Sequence, residues 1–538
     1  MNKLWRHCAA LLLTAALTLI SPLLLWAAQQ DIIILHTNDM HCGVNDNIGL
    51  AGVAQLKKEA LGRTPHVFLV DAGDAVQGAP IGKLSRGEAV VNLMNAVGYD
   101  FCVPGNHEFD YGMERFLELA GKQQAGYYSA NFLDNKTGSP VLKPYKLADF
   151  NGTKIAFIGA TTPTTFTSST PLYFQNAEGQ YIYSFCEDAG GQRLYRQLQK
   201  YVDQARQEGA QYVFLVAHLG VNGVPHQWSS ESVAQNTEGI TAIIDGHSHE
   251  SFVRVVQNKI GKDVLLVQAG TKLSRVGEIR LTAEGTLSAK LFTLAQGKDA
   301  AAAKIISQEM EAYAPLLTQP VGEALVPLYA SDPQTGARLV RRQECNLADF
   351  VADAYKTVLD CDVALVNGGS VRQELKRGSL SYQDILEAFP FDNRCVVLEI
   401  TGQQLLDCLE LGAMRYPEES GGFMQAAGLS YTINSQITSG VALDEKGRFV
   451  KVAGEYRVGD VTIKGKPLNL QGKYTVGGTA YVLQNGGDGM TMFKNARLVQ
   501  DSGISDTDVI LEYLQNHLNA VIGERYANPY GDGRIKIK

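Results

Sequence analysis

Five apolar runs in the first half of the chain each stop at Asp, His or Asn. Ile32–Leu35 leads into His36-Thr-Asn-Asp-Met-His41, which sets Asp39 and His41 two apart. Val67–Val70 leads into Asp71-Ala-Gly-Asp74, and Phe101–Val103 into Pro104-Gly-Asn-His-Glu-Phe-Asp110. Val213–Val216 ends at Ala217-His218, and Ile243–Ile244 runs into Asp245-Gly-His-Ser-His249. Ligands of open α/β sheets gather beyond the strand ends, so these side chains are expected to converge. Carboxylates, imidazoles and one Asn amide form a borderline-hard donor set. It suits Zn, Mn, Fe or Co better than calcium or a thiolate-bound ion. Asp39, His41, Asp74, Asn106, His218, His247 and His249 are more donors than one ion needs. A carboxylate bridging two divalent ions about 3.5–4 Å apart is the usual solution. Such a pair acidifies bound water and clamps phosphoryl oxygens for in-line attack.

Each motif alone is ordinary. Asp-x-His is commonly a turn, Asn106 could be a helix N-cap, and a histidine after a strand is usually structural. The five together, in one order, are what point to metal chemistry. His107 stands three residues before Asp110, and on a starting helix i and i+3 share a face. Asp110 can then hold the imidazole and favour its charged form. His36 and His66 are expected only to pack or hydrogen-bond.

The elements that must position these residues alternate along the chain. Val-, Ile- and Phe-rich runs read as buried strands, among them Ile32–His36, Val67–Val70, Ile155–Ile158, Val213–Ala217 and Ala242–Ile244. Val90–Val97, Met113–Gln124 and Gln192–Glu208 carry helical spacing. The alternation predicts an α/β layered domain over 29–297. Lys298–Ala314 is Ala-rich and stops before Pro315, which predicts a linker helix within 298–319. From 320 to 538 a second, smaller α/β unit is expected, with helices over Leu347–Leu359 and Gly402–Leu411 and a strand over Val363–Val366.

That second half carries the residues suited to a substrate. Asn367-Gly-Gly-Ser-Val-Arg372 follows a strand; Gly-Gly lets backbone approach a ligand, and Arg372 offers a planar fork for phosphate. Asn485-Gly-Gly-Asp-Gly489 is a similar loop, with Asp488 able to accept from ribose hydroxyls. Ala388-Phe-Pro-Phe-Asp-Asn393 places Phe391 at a turn, suited to stacking on a base.

Composition bounds the reading. The chain has 538 residues, 45% hydrophobic and 19% charged, an ordinary globular balance for two or three domains. Its net charge is −8, and residues 1–28 take two positive charges with them, Lys3 and Arg6, leaving −10. That argues against a nucleic-acid polymer as partner, while a small anion can still bind in a local basic pocket. Lys3 and Arg6 followed by an apolar run, Ala9–Trp26, read as a signal peptide over 1–28, with an uncleaved anchor as the rival. The polar C-terminus is read as excluding a GPI anchor. Of eight cysteines, Cys345, Cys361, Cys395 and Cys408 cluster late, where one bridge is conceivable.

The ordered set Asn38-Asp-Met-His41, Gly73-Asp74, Gly105-Asn-His-Glu108, His218 and Gly246-His-Ser-His249 resembles calcineurin-like metallophosphoesterases, and more narrowly the 5'-nucleotidase family. The second half resembles that family's nucleotide-binding domain. The resemblance implies a four-layer β-sandwich flanked by helices, a linker helix, and a smaller α/β substrate-binding domain. By it, Asp39, His41 and His249 would bind one divalent ion, Asn106, His218 and His247 a second, and Asp74 would bridge both. His249 stands where the family often has Gln. His107 and Asp110 would form the dyad that stabilises the transition state and the leaving group. Arg338, Arg341, Asn367 and Arg372 would face the substrate, Phe391 would stack on the base with Asn393 at its edge, and Asp488 would bind the sugar. The family's second stacking aromatic aligns with Val482. Either neighbouring Tyr481 takes over that stacking, or base binding is one-sided. The function implied is an exported hydrolase, periplasmic, cell-surface or secreted, monomer or dimer, that frees phosphate from nucleoside 5'-monophosphates. The rivals are a 2',3'-cyclic-nucleotide or nucleotide-sugar/dinucleotide hydrolase, a sulfur-ester hydrolase, and a nucleotide-binding surface protein without activity.

Overall fold

The computed structural model describes residues 30–538, so the expected signal segment lies outside the described residues. Two sheets form the centre of the first half. The first has the order β11–β10–β1–β2–β3, with β1 Ile32–Thr37, β2 Val67–Asp71, β3 Phe101–Cys102, β10 Val276–Leu281 and β11 Leu287–Phe292. The second has the order β8–β9–β7–β6–β5–β4, built from β4 Tyr145–Phe150, β5 Thr153–Thr161, β6 Tyr212–His218, β7 Ala242–Ile244, β8 Ser251–Gln257 and β9 Asp263–Ala269.

The pleat explains the layering. Alternate side chains of a strand point to opposite faces. Ile32 and Ile34 of β1 therefore join Phe68, Val70, Phe157, Phe214 and Val216 between the sheets. Ile33 and Leu35 point the other way, into helices α1 Gly49–Leu61, α2 Glu88–Val97 and α3 Met113–Lys122. Helices α4 Gln192–Gln207 and α5 Ser230–Asn236 cover the outer face of the second sheet through Leu194, Leu198, Val202 and Val233. The result is the expected helix–sheet–sheet–helix sandwich.

Parallel pairing aligns the strand ends that matter. Thr37 of β1 pairs Asp71 of β2, Asp71 pairs Cys102 of β3, and Thr161 of β5 pairs His218 of β6. The loops after these strands consequently leave from one edge of the sandwich.

The predicted linker helix forms as α6 Ala300–Glu311. Asp299 caps it, its carboxylate accepting from the Ala301 and Ala302 amides. It ends three residues before Ala314 and packs on α1 and α2 through Ile306. The second half holds a sheet of order β14–β12–β15–β13–β16, with β12 Val363–Asn367, β13 Arg394–Thr401, β14 Met424–Ala427, β15 Lys473–Thr479 and β16 Arg497–Ser505. Helices α7 Asn346–Val358 and α9 Asp506–Glu512 share one core, and α8 Gly402–Ala413 another. Capping boxes start α8 at Thr401 with Gln404 and α9 at Ser505 with Asp508. The bridge conceived among the late cysteines does not form: all seven described cysteines are free and buried, and burial pushes the Cys361 thiol up to about 11.

Candidate active site

The strand-end residues converge. Ligand atoms of Asp39, His41 and His249 lie within 4.8 Å of one another, as do those of Asp74, His218 and His247, and of His41, Asp74 and His107. Nε2 of His218 is 3.0 Å from Oδ2 of Asp74, and Nε2 of His249 is 3.4 Å from Oδ1 of Asp39. The Nε2 atoms of His41 and His249 are 3.0 Å apart. Backbone bonds fix the opposite side of two rings, His41 Nδ1 on Gln77 O at 3.0 Å and His218 Nδ1 on Ala72 O at 2.7 Å. The Nε2 atoms are thereby left facing the cluster, the arrangement typical of metal-binding histidines. One buried atom of this cluster, Asn106 Oδ1, has no hydrogen-bond partner among the described residues. Buried polar atoms are rarely left so, and this oxygen is a donor atom suited to a divalent ion, as is His218 Nε2 beside Asp74 Oδ2. The donor set and its geometry therefore fit such a group.

The backbone is strained where it matters. Asp39, His41, Asp74, His247 and His249 have φ of 49°, 47°, 57°, 76° and 59°. Non-glycine residues seldom adopt the left-handed region, at a cost of order 1–3 kcal/mol each, unless the surroundings impose it. Close packing imposes it here. A Cβ on Gly105 would lie 2.2 Å from Asp74 Oδ1, so only glycine fits beside that carboxylate.

The electrostatics reflect crowding of buried groups. Burial opposes charge on His218, but Asp74 and Asp39 outweigh it and push it up to about 10. His247, buried beside His218, is held down at about 3. His107 is lowered by burial and raised more by Asp74 and Asp110, with a net upward shift. Its Nδ1 is 2.6 Å from Asp110 Oδ2, and Ser169 Oγ donates to Asp110 Oδ1 at 3.0 Å. This pair sits on the one-turn helix His107–Phe109, where the i,i+3 spacing brings both side chains to one side as expected.

A cleft of about 1000 Å³ separates the two halves. Asp74, Asn106, His107, Asp110, His247 and His249 line it from the first half. Asp39, His41 and His218 lie buried behind them. Arg338, Arg341, Asn367, Arg372, Phe391, Asn393, Tyr481 and Asp488 line it from the second half. Arg372 reaches across, with Nη2 3.4 Å from His107 Nε2 and its guanidinium carbon 5.4 Å from the Phe391 ring centre. Burial, with Arg338 and Arg372 nearby, lowers Arg341 to about 9. Among the described residues only Arg338 of these three has an ion-pair partner, Glu419 at 2.6 Å. Arg341 and Arg372 thus line the cleft without a carboxylate at ion-pair distance among the described residues. Asn367 Nδ2 donates to Asp488 Oδ2 at 2.8 Å, which orients that carboxylate. Val482 is buried in the core, whereas Tyr481 lines the cleft with its hydroxyl already bonded, donating to Thr167 O at 2.6 Å.

Residues 32–251 match the calcineurin-like phosphoesterase family model, and residues 320–495 match the 5'-nucleotidase C-terminal domain. The chain belongs to the 5'-nucleotidase family. It is a metal-dependent phosphoester hydrolase. It is 27% identical to a 5'-nucleotidase of Vibrio parahaemolyticus over 90% of this chain and 89% of that protein. It is 26% identical to the trifunctional nucleotide phosphoesterase protein of Bacillus subtilis over 94% of this chain, spanning only 35% of that longer protein. The structure of the 5'-nucleotidase precursor of Thermus thermophilus, 26% identical, superposes with a TM-score of 0.78 over 94% of this chain and 99% of that one.

The site also involves residues to which the sequence motifs assign no role. The buried Glu108 carboxylate accepts from the amides of Asp74, Ala75, Val76 and Gly105, tying two candidate ligand loops together. Asn38 donates to Asp39 Oδ2 at 2.6 Å and accepts from the Ala269 amide, and Asp245 accepts from the Leu219 and Gly220 amides. Their one sequence signal is adjacency to the candidate ligands. Thr164 and Ser169 gave no signal at all, yet they touch His247 Nε2, at 3.3 Å, and Asp110.

Proposed function

We propose that this enzyme is an exported phosphohydrolase that releases phosphate from nucleoside 5'-monophosphates with two divalent ions. The observation that carries this reading is the cleft itself, with seven candidate metal donors on one wall and, on the other, Arg341 and Arg372, which have no ion-pair partner among the described residues. Asp39, His41 and His249 would hold one ion, Asn106, His218 and His247 the other, and Asp74 would serve both. The donor chemistry suits Zn, Mn or Co. When bound, the ions supply a Lewis acid for the phosphoryl oxygens and acidify water for in-line attack.

The chain's own residues do the rest. Arg372 and Arg341 bind the phosphate oxygens as forked donors. Asp110 accepts from the His107 Nδ1–H and, with Asp74, favours the imidazolium, whose second proton, on Nε2, faces the reacting phosphoryl group and its leaving oxygen. Asp488 accepts from sugar hydroxyls, Phe391 packs on the base and Asn393 bonds its edge. The cleft walls exclude water around the arginines, which strengthens their pull on the phosphate. The division of labour follows the domains: 29–297 for metals, 298–319 as linker helix, 320–538 for the nucleoside. The segment 1–28 is read as the export signal. Among the described residues no helix is long and apolar enough to cross a membrane.

The volume of about 1000 Å³, at the top of the usual range for ligand clefts, favours a second reading on the same site. Nucleotide sugars and dinucleotides would also fit. Phosphate release from a panel of nucleoside monophosphates, a cyclic nucleotide, a nucleotide sugar and p-nitrophenyl phosphate separates these readings. Monophosphates are expected to show the highest kcat/KM. A preference for non-nucleotide esters would overturn the substrate assignment.

A further inference from the structure

Three contacts from different parts of the molecule meet on one six-residue segment, Thr164–Ser169. Thr164 Oγ1 is 3.3 Å from His247 Nε2, within a candidate metal group. Ser169 Oγ donates to Asp110 Oδ1 at 3.0 Å, and Asp110 holds His107. Between them, Thr167 O accepts from Tyr481 Oη, across the cleft, at 2.6 Å. The same Tyr481 oxygen accepts from the Asp488 amide at 3.2 Å. A Cβ on Gly487 would lie 2.5 Å from the Tyr481 ring, so that loop glycine packs flat on it.

The segment is stiff enough to transmit position. Its central turn, Thr165–Ser168, is bound internally: Thr165 Oγ1 donates to Thr162 O at 2.7 Å, and Ser168 Oγ to Thr164 O at 2.9 Å. Phe166 is fully buried in the first-half core. The second half grips it a second time: Lys446 Nζ lies 4.2 Å from the Phe166 ring centre and pairs with the buried Glu187.

We propose that Tyr481 is a positioning residue for hydrolysis rather than a base-stacking one. Its hydroxyl joins the Asp488 loop to the Thr164–Ser169 segment, and the segment sets Asp110 and thereby the His107 ring. Seating the nucleoside loop and orienting the imidazole are then one event. The proposal rests on the reading of His107 and Asp110 as the groups that meet the reacting phosphate.

The test uses Tyr481→Phe, which keeps the ring and removes the hydroxyl, beside Tyr481→Leu and Ser169→Ala. Rates are measured on AMP and on p-nitrophenyl phosphate, which has no base or sugar. Amide hydrogen exchange of residues 162–169 is measured in parallel on the full chain. Losing these hydrogen bonds is expected to lower kcat about tenfold on both substrates, with KM for p-nitrophenyl phosphate unchanged. Exchange across the segment is expected to rise. The Tyr481→Phe/Ser169→Ala pair should be no worse than the weaker single variant, because both act on one relay. A Tyr481→Phe enzyme with wild-type kcat on both substrates, and a Tyr481→Leu enzyme with raised KM on AMP alone, would make Tyr481 a stacking surface and overturn the proposal. Should the wild type release no phosphate from either ester, the hydrolytic reading fails on its own; unchanged exchange in Tyr481→Phe separately overturns the relay.

Discussion

On the first wall of the cleft, every candidate metal ligand comes from one half of the chain and is held by that half's own backbone. On the second wall, cleft-lining side chains lie on separate loops, and several are fixed by contacts that cross the cleft. Five of the seven candidate ligands sit at positive φ, and Glu108 accepts from four amides around two of their loops. Arg372 lies against His107, Lys83 pairs with Asp392 at 3.0 Å, and Tyr481 bonds Thr167 O, all between halves. The contrast teaches that the candidate metal donors are held within one half, whereas the second wall is held in part by contacts between the halves. Strain is affordable on the first wall because a packed sandwich stands behind it.

Variants on each wall should therefore differ in kind. The largest effect is expected from Asp74→Ala, since Asp74 belongs to two donor groups. Loss of several kcal/mol of charge stabilisation corresponds to about a thousandfold or more in kcat, with reduced divalent-ion content measured by elemental analysis. His107→Ala is expected to lower kcat by about 10²–10⁴ while leaving ion content intact, as phosphate release and elemental analysis together will show. Arg372→Ala belongs to the second wall. It should cost about 10–100-fold in kcat/KM by removing charge-assisted hydrogen bonds to phosphate, again without loss of ions. If Arg372→Ala also emptied the metal site, the two walls would not be independent.

The smallest expected effect probes the sandwich behind the site. His36 is buried with neither ring nitrogen hydrogen-bonded among the described residues, and burial lowers it to about 3. The unfolded chain then binds a proton below about 6.5 that the folded chain refuses, so stability falls as pH drops from about 6.5 toward 3. His36→Leu should remove the His36 share of this slope, worth about 2 kcal/mol at pH 5, and leave that of His247, measured by denaturant unfolding across pH. An unchanged slope would mean that His36 does not set it.

Much of the first wall was legible in the sequence. Apolar runs of β length ending in Asp, His and Asn place candidate ligands at aligned strand ends, and the parallel register from Thr37 through Asp71 to Cys102 does the rest. Glu108 and Asp245 were not legible, because binding backbone amides leaves no spacing pattern. The helix over Lys298–Ala314 was readable from composition, but its ends were not: Asp299 caps the start, and the chain leaves the helix at Ala312 before resuming at Ala314–Leu317. The second wall was harder to read. Gly-Gly loops and an aromatic after Pro390 marked Arg372, Asp488 and Phe391, yet what Tyr481 bonds depends on a carbonyl more than 300 residues away. No local pattern encodes a contact between halves.

The central claim is that one wall holds two divalent ions and that hydrolysis depends on them. Titration of the chelator-stripped protein with Mn or Zn, followed by bound-ion content and AMP hydrolysis together, tests it most directly. The account expects activity to be lost with the chelator and restored as binding approaches two ions per chain, with His107→Ala binding both and staying slow. Full AMP hydrolysis in the stripped protein, or saturation at a single ion with full activity, would contradict it.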